Sequence, residues 1–190
     1  MTIPSLHLAS SSPRRTEILA ALGVRFSAAG VDVDERRLEG EAAGTMVLRL
    51  ARAKAEAVDI EASGLVLAAD TVVVLGEDIF GKPADRDEAL SMLECLSGRT
   101  HRVLTGIALR SRKGVRTALS ETEVRFRDIG PDEALAYWQS GEPCDKAGAY
   151  AIQGRGGMFV EAISGSYSGV VGLPVFETVK LLADAGLRVL

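Results

Sequence analysis

The segment "LASSSPRRTEILAALG", residues 8–23, joins a short apolar run to an amphipathic helical pattern. Ser12 and Pro13 are typical of a helix N-cap and a first helical residue, and Gly23 is typical of the residue that ends a helix. Residues 6–9, before the loop, predict a short buried strand. The segment therefore predicts a strand, a loop and a helix in succession, the unit from which α/β sheets are built.

Two arginines stand at this predicted helix start. Arg14 and Arg15 add positive charge where the helix dipole already places some, which is unfavourable unless an anion binds there. Serine hydroxyls, backbone N–H groups and guanidinium groups at the carboxyl end of a strand suit a phosphate. The alternative is a capped helix with solvated arginines, and the segment alone does not decide between the two.

The same alternation of strands and helices continues along the chain. The predicted elements are a strand over 24–28, a long helix with apolar residues from Met46 to Val58, a β-rich stretch over 65–76 interrupted at Asp70 and Thr71, a helix capped by Asp85 that ends near Leu96, a β-hairpin over 101–129 with its turn at Lys113 and Gly114, a helix from Pro131 to Gln139, a Gly-rich strand-like stretch over 148–172, and a last helix that ends at Gly186. We predict an α/β fold, bordering on α+β. It has a mixed twisted sheet flanked by helices and two lobes around a cleft, in a single domain over residues 1–190.

Composition narrows the classes of function. The 190 residues carry 22 lysines and arginines against 26 acidic residues, a net charge of −4, which disfavours nucleic acid as a partner. The sequence shows neither a signal-peptide pattern nor an apolar run long enough to cross a membrane. Cys95 and Cys144 are isolated in the sequence, as is typical of a reducing compartment. We therefore predict a cytoplasmic protein without a membrane or nucleic-acid partner.

Asp70 follows the apolar residues 65–69, so we expect it at the carboxyl end of a buried strand. It could simply end the strand. However, "VVVL" continues directly after Thr71, and a turn residue is not needed there. A carboxylate at the mouth of a sheet can hold a divalent metal or polarise a water molecule, and this interpretation is favoured.

Two later segments contain candidate binding residues. "GEDIFGKP", residues 76–83, fits part of a Walker A pattern, but Pro83 stands where a P-loop needs Ser or Thr, so the motif is rejected. Lys82 on its Gly-Pro turn could equally belong to a plain surface turn. "DKAGAYAIQGRGG", residues 145–157, offers Lys146 and Gln153 among glycines that let the backbone approach a ligand, and an amide that can read a base edge. With only two histidines in the chain, a zinc site is poorly supported.

Taken together, seven blocks resemble the Maf proteins in order and spacing. They are "ASSSPRR" (9–15), "ARAKA" (51–55), "AADTVV" (68–73), "GKP" (81–83), "LSGRTHRVLTG" (96–106), "DKAGAYAIQG" (145–154) and "GSYSGVVGLP" (165–174). Maf proteins were first described as inhibitors of septum formation and are known as nucleoside triphosphate pyrophosphatases. Their fold is similar to that of the inosine triphosphatases, and the resemblance implies the same fold here.

The resemblance also implies roles for individual residues. Asp70 would be the proton acceptor, and Lys82 a second catalytic residue. Glu35 in "VDVDE" would be a partner of the water or, together with Asp70, a ligand of Mg²⁺ or Mn²⁺. The implied substrate-binding residues, which contact the phosphates or select the base, are Ser10, Arg14, Arg15, Lys54, Thr71, Lys146 and Gln153. Among them, base selection is assigned to Arg14, Thr71 and Gln153.

The "DT" after the strand and the "IQG" after "AYA" resemble the branch of the family that acts on dTTP and UTP. The resemblance thus implies hydrolysis of these nucleotides to the monophosphate and pyrophosphate, with modified pyrimidine nucleotides left open as substrates, and a homodimer. Two alternatives stay open: a regulator of septum formation that binds nucleotide without turnover, and a 7-methyl-GTP pyrophosphatase. A third alternative, a generic phosphatase, would release orthophosphate instead.

Overall fold

The computed structural model describes residues 5–59 and 64–189. Seven strands are present in this part of the chain: β1 (Leu6–Ala9), β2 (Phe26–Ala29), β3 (Leu65–Leu75), β4 (Asp78–Phe80), β5 (Thr100–Ser111), β6 (Gly114–Phe126) and β7 (Val160–Ser164). The helices are α1 (Pro13–Ala21), α2 (Ala43–Glu56), α3 (Arg86–Leu96), α4 (Pro131–Gln139), α5 (Tyr167–Val171) and α6 (Val175–Asp184). Short 3-10 turns lie between α4 and β7.

All seven strands belong to one sheet, in the order β2-β1-β3-β5-β6-β7, with β4 paired to β3. The β1–β2 and β1–β3 pairs are parallel, whereas β3–β4 and β6–β7 are antiparallel. The predicted fold class, a mixed sheet flanked by helices, is therefore confirmed. The predicted hairpin is also present, because β5 and β6 are joined by only two residues, 112 and 113.

Strand β3 differs from the prediction in one respect that matters for the site. It runs without interruption from Leu65 to Leu75, so the predicted break at Asp70 and Thr71 is wrong. The β-branched Val72, Val73 and Val74 continue the strand, and most of β3 is buried, as in a central strand covered on both faces. Asp70 is thus a residue of the strand interior and does not end the strand.

The Gly-rich stretch over 148–172 is the largest error of the sequence-based prediction. Only Val160–Ser164 forms a strand, while residues 155–159 form a 3-10 turn and Tyr167–Val171 forms a short helix. Glycines remove the side chains that would pair across strands, and they favour turns instead. Two smaller differences are β2, which lies at Phe26–Ala29 instead of 24–28, and β4, which was not predicted.

Local signals at helix ends were reliable. Asp85 caps α3 by accepting a hydrogen bond from the Glu88 backbone N–H at 2.9 Å. Helix α1 begins at Pro13 with Ser12 as the N-cap and is followed by Gly23 at φ +71°. Residues 73–80 form the β3–β4 hairpin, with residues 76 and 77 at its turn and not in a phosphate-binding loop, which agrees with the rejection of the Walker A motif.

The chain divides into two compact units. Unit 1 comprises residues 1–70, 105–120 and 172–190, and unit 2 comprises residues 71–104 and 121–171. Unit 1 holds two apolar clusters built on β1, the first half of β3 and helices α1, α2 and α6, and unit 2 holds one, which is rich in aromatic residues. The predicted lobes correspond to these units; the cleft and the single domain over 1–190 stay predictions. No described helix combines the length and hydropathy that crossing a membrane requires.

Candidate active site

The loop after β1 brings serine and arginine side chains together at the start of α1. Ser10 is buried, and its Oγ accepts hydrogen bonds from the Ser12 backbone N–H at 3.2 Å and from the Arg15 Nη1 at 3.4 Å. The Ser12 side chain makes no capping bond to the described helix. The Arg15 Nε also donates to the Gly172 backbone oxygen at 2.8 Å, so Arg15 is tied to this loop and to the segment before α6. Arg14 lies beside it in the first turn of α1.

Strand register places Asp70 near this loop. In the parallel β1–β3 pair Leu8 lies opposite Leu67, and β1 ends one residue later, at Ala9. Asp70, three residues after Leu67, therefore lies beyond the last paired residue of β1 although it is inside β3. Because β1 ends before β3 does, Asp70 has no partner residue on β1. A prediction that places Asp70 at the end of β3 misses this geometry.

A buried lysine joins the two predicted metal-binding carboxylates. The Lys54 Nζ lies 2.6 Å from the Asp70 Oδ1 and 2.6 Å from the Glu35 Oε1. Lys54 and Asp70 are each 8% exposed, whereas the Glu35 side chain is 56% exposed. We call Ser10, Arg15, Glu35, Lys54 and Asp70 the polar cluster of unit 1. Because isolated buried charges are costly, the Lys54–Asp70 contact is what makes the burial of both tolerable.

The charges of this cluster act on one another. Burial raises the pKa of the Asp70 carboxyl above its ordinary value, and the positive charges of Lys54 and Arg15 oppose that rise. Burial likewise lowers the pKa of the Arg15 guanidinium, and the negative charges of Asp70 and Glu35 oppose it. A carboxylate with a raised pKa is a stronger base, and adjoining cations favour its ionised form.

Lys54 is positioned by helix α2, which packs very closely on strand β5. A Cβ added at Gly106 would lie 2.6 Å from the carbonyl carbon and oxygen of Val47 and 2.8 Å from the Leu48 nitrogen. Only a glycine in β5 permits this approach. Sequence reasoning missed Gly106 as a positioning residue, although a glycine inside a strand pattern is a signal of close backbone approach.

The segment that carries Glu35 is held by a second missed group. Glu41 accepts hydrogen bonds from the Arg49 Nε at 2.6 Å and Nη2 at 2.7 Å, and from the Leu38 backbone N–H at 3.2 Å. The Arg37 Nε donates to the Glu41 backbone oxygen at 2.9 Å. These bonds fold residues 36–41 against α2. No sequence signal marks this pair, because Glu41 lies before the helix and Arg49 within it.

The other four predicted site residues, Thr71, Lys82, Lys146 and Gln153, lie in unit 2. Lys82 is exposed on the loop after β4, and Lys146 is half-buried, with an ion pair to Asp145. The two lysine-bearing loops are joined, because the Gly148 backbone N–H donates to the Gly81 oxygen at 3.0 Å. Gly148 has φ +68°, and a Cβ there would lie 2.8 Å from the Val73 Cγ2, so glycine is required.

Gln153 lies in a turn between Ala151 and Gly154, with an exposed side chain. Thr71, half-buried in β3, directly follows Asp70 in the chain. The structure thus brings Lys54 into contact with Asp70 and Glu35, and Arg15 into contact with Ser10, and the charges of Asp70 and Glu35 also act on Arg15. Arg14 lies beside Arg15 in unit 1, and the remaining predicted residues lie on loops and strand positions of unit 2.

For a metal ion, the predicted donors are the two carboxylates of the polar cluster. Within residues 5–59 and 64–189, no group of three or more His, Cys, Asp or Glu side chains is placed to hold an ion. Glu35 and Asp70 both contact one ammonium group, so they already present negative charge to a shared cation. Two carboxylates fit a hard cation that takes its remaining oxygen ligands from water and phosphate, as Mg²⁺ does.

Comparison with known proteins matches residues 5–185 to the family described as "Maf-like protein". The dTTP/UTP pyrophosphatase of Hahella chejuensis (strain KCTC 2396) is 52% identical over 189 residues, which cover 97% of this chain and 94% of that protein. The dTTP/UTP pyrophosphatase of Myxococcus xanthus (strain DK1622) is 54% identical over 183 residues, covering 96% of this chain and 93% of the relative.

Among solved structures, a HAM1 protein from Coxiella burnetii superposes with a TM-score of 0.52 at 17% identity, and covers 96% of this chain and 100% of that one. At this identity the likeness shows a shared fold alone. The family match extends over nearly the whole chain, and relatives with about half their residues in common span the same length. On both grounds, the chain belongs to the Maf family.

Proposed function

We propose that this chain is a nucleotide pyrophosphatase that hydrolyses dTTP and UTP to the nucleoside monophosphate and pyrophosphate. One observation carries the reaction type: the contact of the buried Lys54 with the carboxylates of Asp70 and Glu35, whose charges also act on Arg15 at the start of α1. The substrates are supported by five relatives, 49–54% identical, that are named dTTP/UTP pyrophosphatase.

Asp70 acts as the general base in this proposal. Its carboxylate orients a water molecule and takes its proton, while the water oxygen forms a bond to a phosphorus atom of the α–β linkage. The bond from that phosphorus to the bridging oxygen breaks, and the oxygen leaves with the electron pair. Burial raises the pKa of Asp70 above its ordinary value, and a carboxylate with a raised pKa is a stronger base.

The cations stabilise the charge that develops on the phosphate oxygens. Arg14, Arg15 and the N–H groups at the start of α1 bind the phosphates, with Ser10 and Lys54 beside them. Lys82 and Lys146 are the further cations that the family resemblance assigns to this role. The triphosphate supplies the negative charge that makes arginines at a helix N-terminus favourable.

Glu35 and Asp70 would hold a divalent cation, Mg²⁺ or Mn²⁺. The support for this site is that both carboxylates already contact one cation, the Lys54 ammonium group. When bound, the ion neutralises charge on the phosphate oxygens and so favours attack on phosphorus.

Base selection is assigned to Arg14, Thr71 and Gln153. The Thr71 hydroxyl and the Gln153 amide offer donors and an acceptor that match the carbonyl and N3–H edge of thymine and uracil. A positively charged methylated purine would call for a carboxylate or an aromatic face at these positions. The residues present therefore support a pyrimidine substrate over 7-methyl-GTP.

A nucleotide panel with product analysis tests the proposal. Purified protein with Mg²⁺ is incubated with dTTP, UTP, 7-methyl-GTP, ATP and GTP at equal concentrations, and pyrophosphate and orthophosphate are measured separately. We expect pyrophosphate, with the highest kcat/KM for dTTP and UTP. Orthophosphate would indicate a generic phosphatase, binding without turnover would indicate a regulator, and a preference for 7-methyl-GTP would overturn the substrate assignment.

The family resemblance also supports a homodimer and a cytoplasmic location, which are part of the proposal. Analytical ultracentrifugation tests the first: a single species at the mass of one 190-residue chain would contradict it. Fractionation of cells that produce the tagged protein tests the second.

A further inference from the structure

The turn that carries Gln153 is tied to a carboxylate and a tyrosine. The Glu142 Oε2 accepts from the Arg155 backbone N–H at 3.0 Å, and the Glu142 Oε1 accepts from the Gly156 backbone N–H at 3.0 Å. The Tyr137 hydroxyl donates to the Glu142 Oε1 at 2.7 Å and accepts from the Ala151 backbone N–H at 3.1 Å. The backbone is therefore held on both sides of Gln153.

The glycines of this turn make room for the two side chains. A Cβ at Gly154 would overlap the Glu142 carboxylate, and a Cβ at Gly156 would lie 2.5 Å from the Tyr137 hydroxyl oxygen. The Gly-rich composition of residues 145–157 predicts a close approach of the backbone to a ligand. The structure gives a different cause for two of these glycines: the backbone closes around Glu142 and Tyr137.

Packing and hydrogen bonds hold Tyr137 and Glu142 in place. Tyr137, near the end of α4, is 4% exposed and packs edge-on against Phe159 with ring centroids 5.0 Å apart. Burial raises the pKa of Tyr137, which keeps its hydroxyl protonated. Burial also raises the pKa of Glu142, but hydrogen bonds from Gly156, Tyr137 and Arg155 outweigh it and hold this pKa below its ordinary value. Glu142 is thus a charged acceptor at neutral pH.

A fixed turn matters because a glutamine amide can pair with more than one base. Its oxygen accepts and its nitrogen donates, so a rotation by half a turn lets it pair with cytosine as well as with thymine. Discrimination between the two bases requires the amide to be presented in one orientation, and ordering a free turn would cost binding free energy. A backbone anchored before and after Gln153 removes part of that freedom.

We propose that Tyr137 and Glu142 are positioning residues for base selection, which act by holding the 151–156 backbone so that Gln153 meets the pyrimidine edge in one orientation. This inference rests on the proposed function and extends it to residues that do not touch the substrate.

The experiment measures discrimination between dTTP and dCTP as the ratio of their kcat/KM values. Tyr137→Phe and Glu142→Gln should each lower the ratio about tenfold, the effect of losing one well-placed hydrogen bond. The kcat for dTTP should stay close to that of the unmodified protein, because the polar cluster of unit 1 is untouched. Hydrogen exchange at the backbone amides of residues 151–156 should become faster in both variants.

Two control variants separate positioning from general destabilisation. Tyr150→Phe removes a buried hydroxyl of the same apolar cluster, one that bonds the His101 Nε2 at 2.9 Å and not the turn. Glu133→Gln removes a carboxylate that pairs with Arg127. Both should leave the dTTP/dCTP ratio and the exchange of residues 151–156 unchanged.

A double-mutant cycle tests whether the effect passes through Gln153. Gln153→Ala should lower the ratio by itself, and adding Tyr137→Phe should lower it no further. An unchanged ratio in Tyr137→Phe and Glu142→Gln, or an additive loss in the double variant, would overturn the inference while the proposed function stands.

The same variants are titrated calorimetrically with non-hydrolysable analogues of dTTP and dCTP. If the protein releases no pyrophosphate, the proposed function fails, and the ratio of dissociation constants then decides the inference. Equal affinity of the unmodified protein for both analogues would overturn it.

Discussion

The candidate site residues of the two units are held in different ways. In unit 1, Lys54 contacts both Asp70 and Glu35, and Lys54 and Asp70 are buried. In unit 2, Gln153 and Lys82 are exposed, and hydrogen bonds to the backbone of their loops determine their positions. We predict a division between the two: changing the buried Asp70 should affect turnover, and loosening the turn that carries the exposed Gln153 should affect the choice of base.

The most severe test of this division is Asp70→Asn. Losing a general base lowers kcat by at least about 100-fold, while the substrate should still bind. Asp70→Asn should therefore lower kcat and leave the ratio of kcat/KM for dTTP and dCTP unchanged. Steady-state kinetics with dTTP measures both.

Asp184→Asn is the matched control, because Asp184 is a carboxylate of unit 1 that pairs with Arg116 outside the polar cluster. It should turn over dTTP normally. Near-normal kcat in Asp70→Asn would remove Asp70 from the role of base.

The second test concerns the start of α1. Each charge-assisted hydrogen bond to a phosphate contributes about 1.5–3 kcal/mol, so Arg14→Ala and Arg15→Ala should each weaken nucleotide binding about ten- to a hundredfold. Calorimetric titration with a non-hydrolysable dTTP analogue measures this. Arg15→Ala should also lower the melting temperature, because it loses the bond to the Gly172 oxygen.

Arg25→Ala serves as the control, since it removes an exposed positive charge beyond the other end of α1. It should bind the analogue as the unmodified protein does. Unchanged affinity in both Arg14→Ala and Arg15→Ala would leave Arg15 with a structural role alone, through its hydrogen bonds to the Gly172 oxygen and the Ser10 hydroxyl.

Gly106→Ala tests how the fold positions the buried charges. The new methyl group would meet the Val47 carbonyl, and overpacking of this kind costs about 1–3 kcal/mol of unfolding free energy. Because α2 carries Lys54, kcat should fall together with stability. Urea unfolding measures the loss.

Gly81→Ala is the comparison variant, since a Cβ at Gly81 meets no atom within 4 Å and its φ is not positive. Its stability should be equal to or slightly above that of the unmodified protein. Equal stabilities of the Gly106 and Gly81 variants would mean that α2 does not pack on β5 as described.

The smallest expected effect is a pH dependence in the segment that carries Glu35. Hydrogen bonds from Arg49 hold the pKa of Glu41 at about 2, below its ordinary value of 4.5. Between these values the unfolded chain binds more protons than the folded one, so the Glu41 contribution is complete above pH 4.5 and is lost as the pH falls towards 2. The stability difference between the unmodified protein and Glu41→Gln should therefore shrink over that range in urea unfolding.

Glu39→Gln removes an exposed glutamate of the same segment and separates the Arg49 contact from the mere loss of a charge. A difference for Glu41→Gln that stays constant from pH 7 to pH 3 would contradict the ion pair. It would also remove the main support for an ordered segment at Glu35.

Much of the fold could be predicted because its signals are local. The Asp85 cap, Pro13 at the first position of α1 and the two-residue turn between β5 and β6 each depend on residues a few positions apart. Capping, fixed φ angles and strand periodicity act over this distance, so a sequence displays them directly. Over residues 148–172, glycines weaken these signals. Most of the stretch that was predicted to be strand-like forms turns and a short helix instead.

The sequence by itself determined the family, the order of the main elements and, through its resemblance, the residues proposed for the site. Only the tertiary structure decided that Asp70 lies inside β3 beside the end of a shorter strand, that Lys54 joins it to Glu35, and that Glu142 holds the Gln153 turn. Each of these facts depends on strand register or on packing between residues more than ten positions apart. Such contacts are set by which surfaces bury one another, and a short sequence pattern carries no record of that.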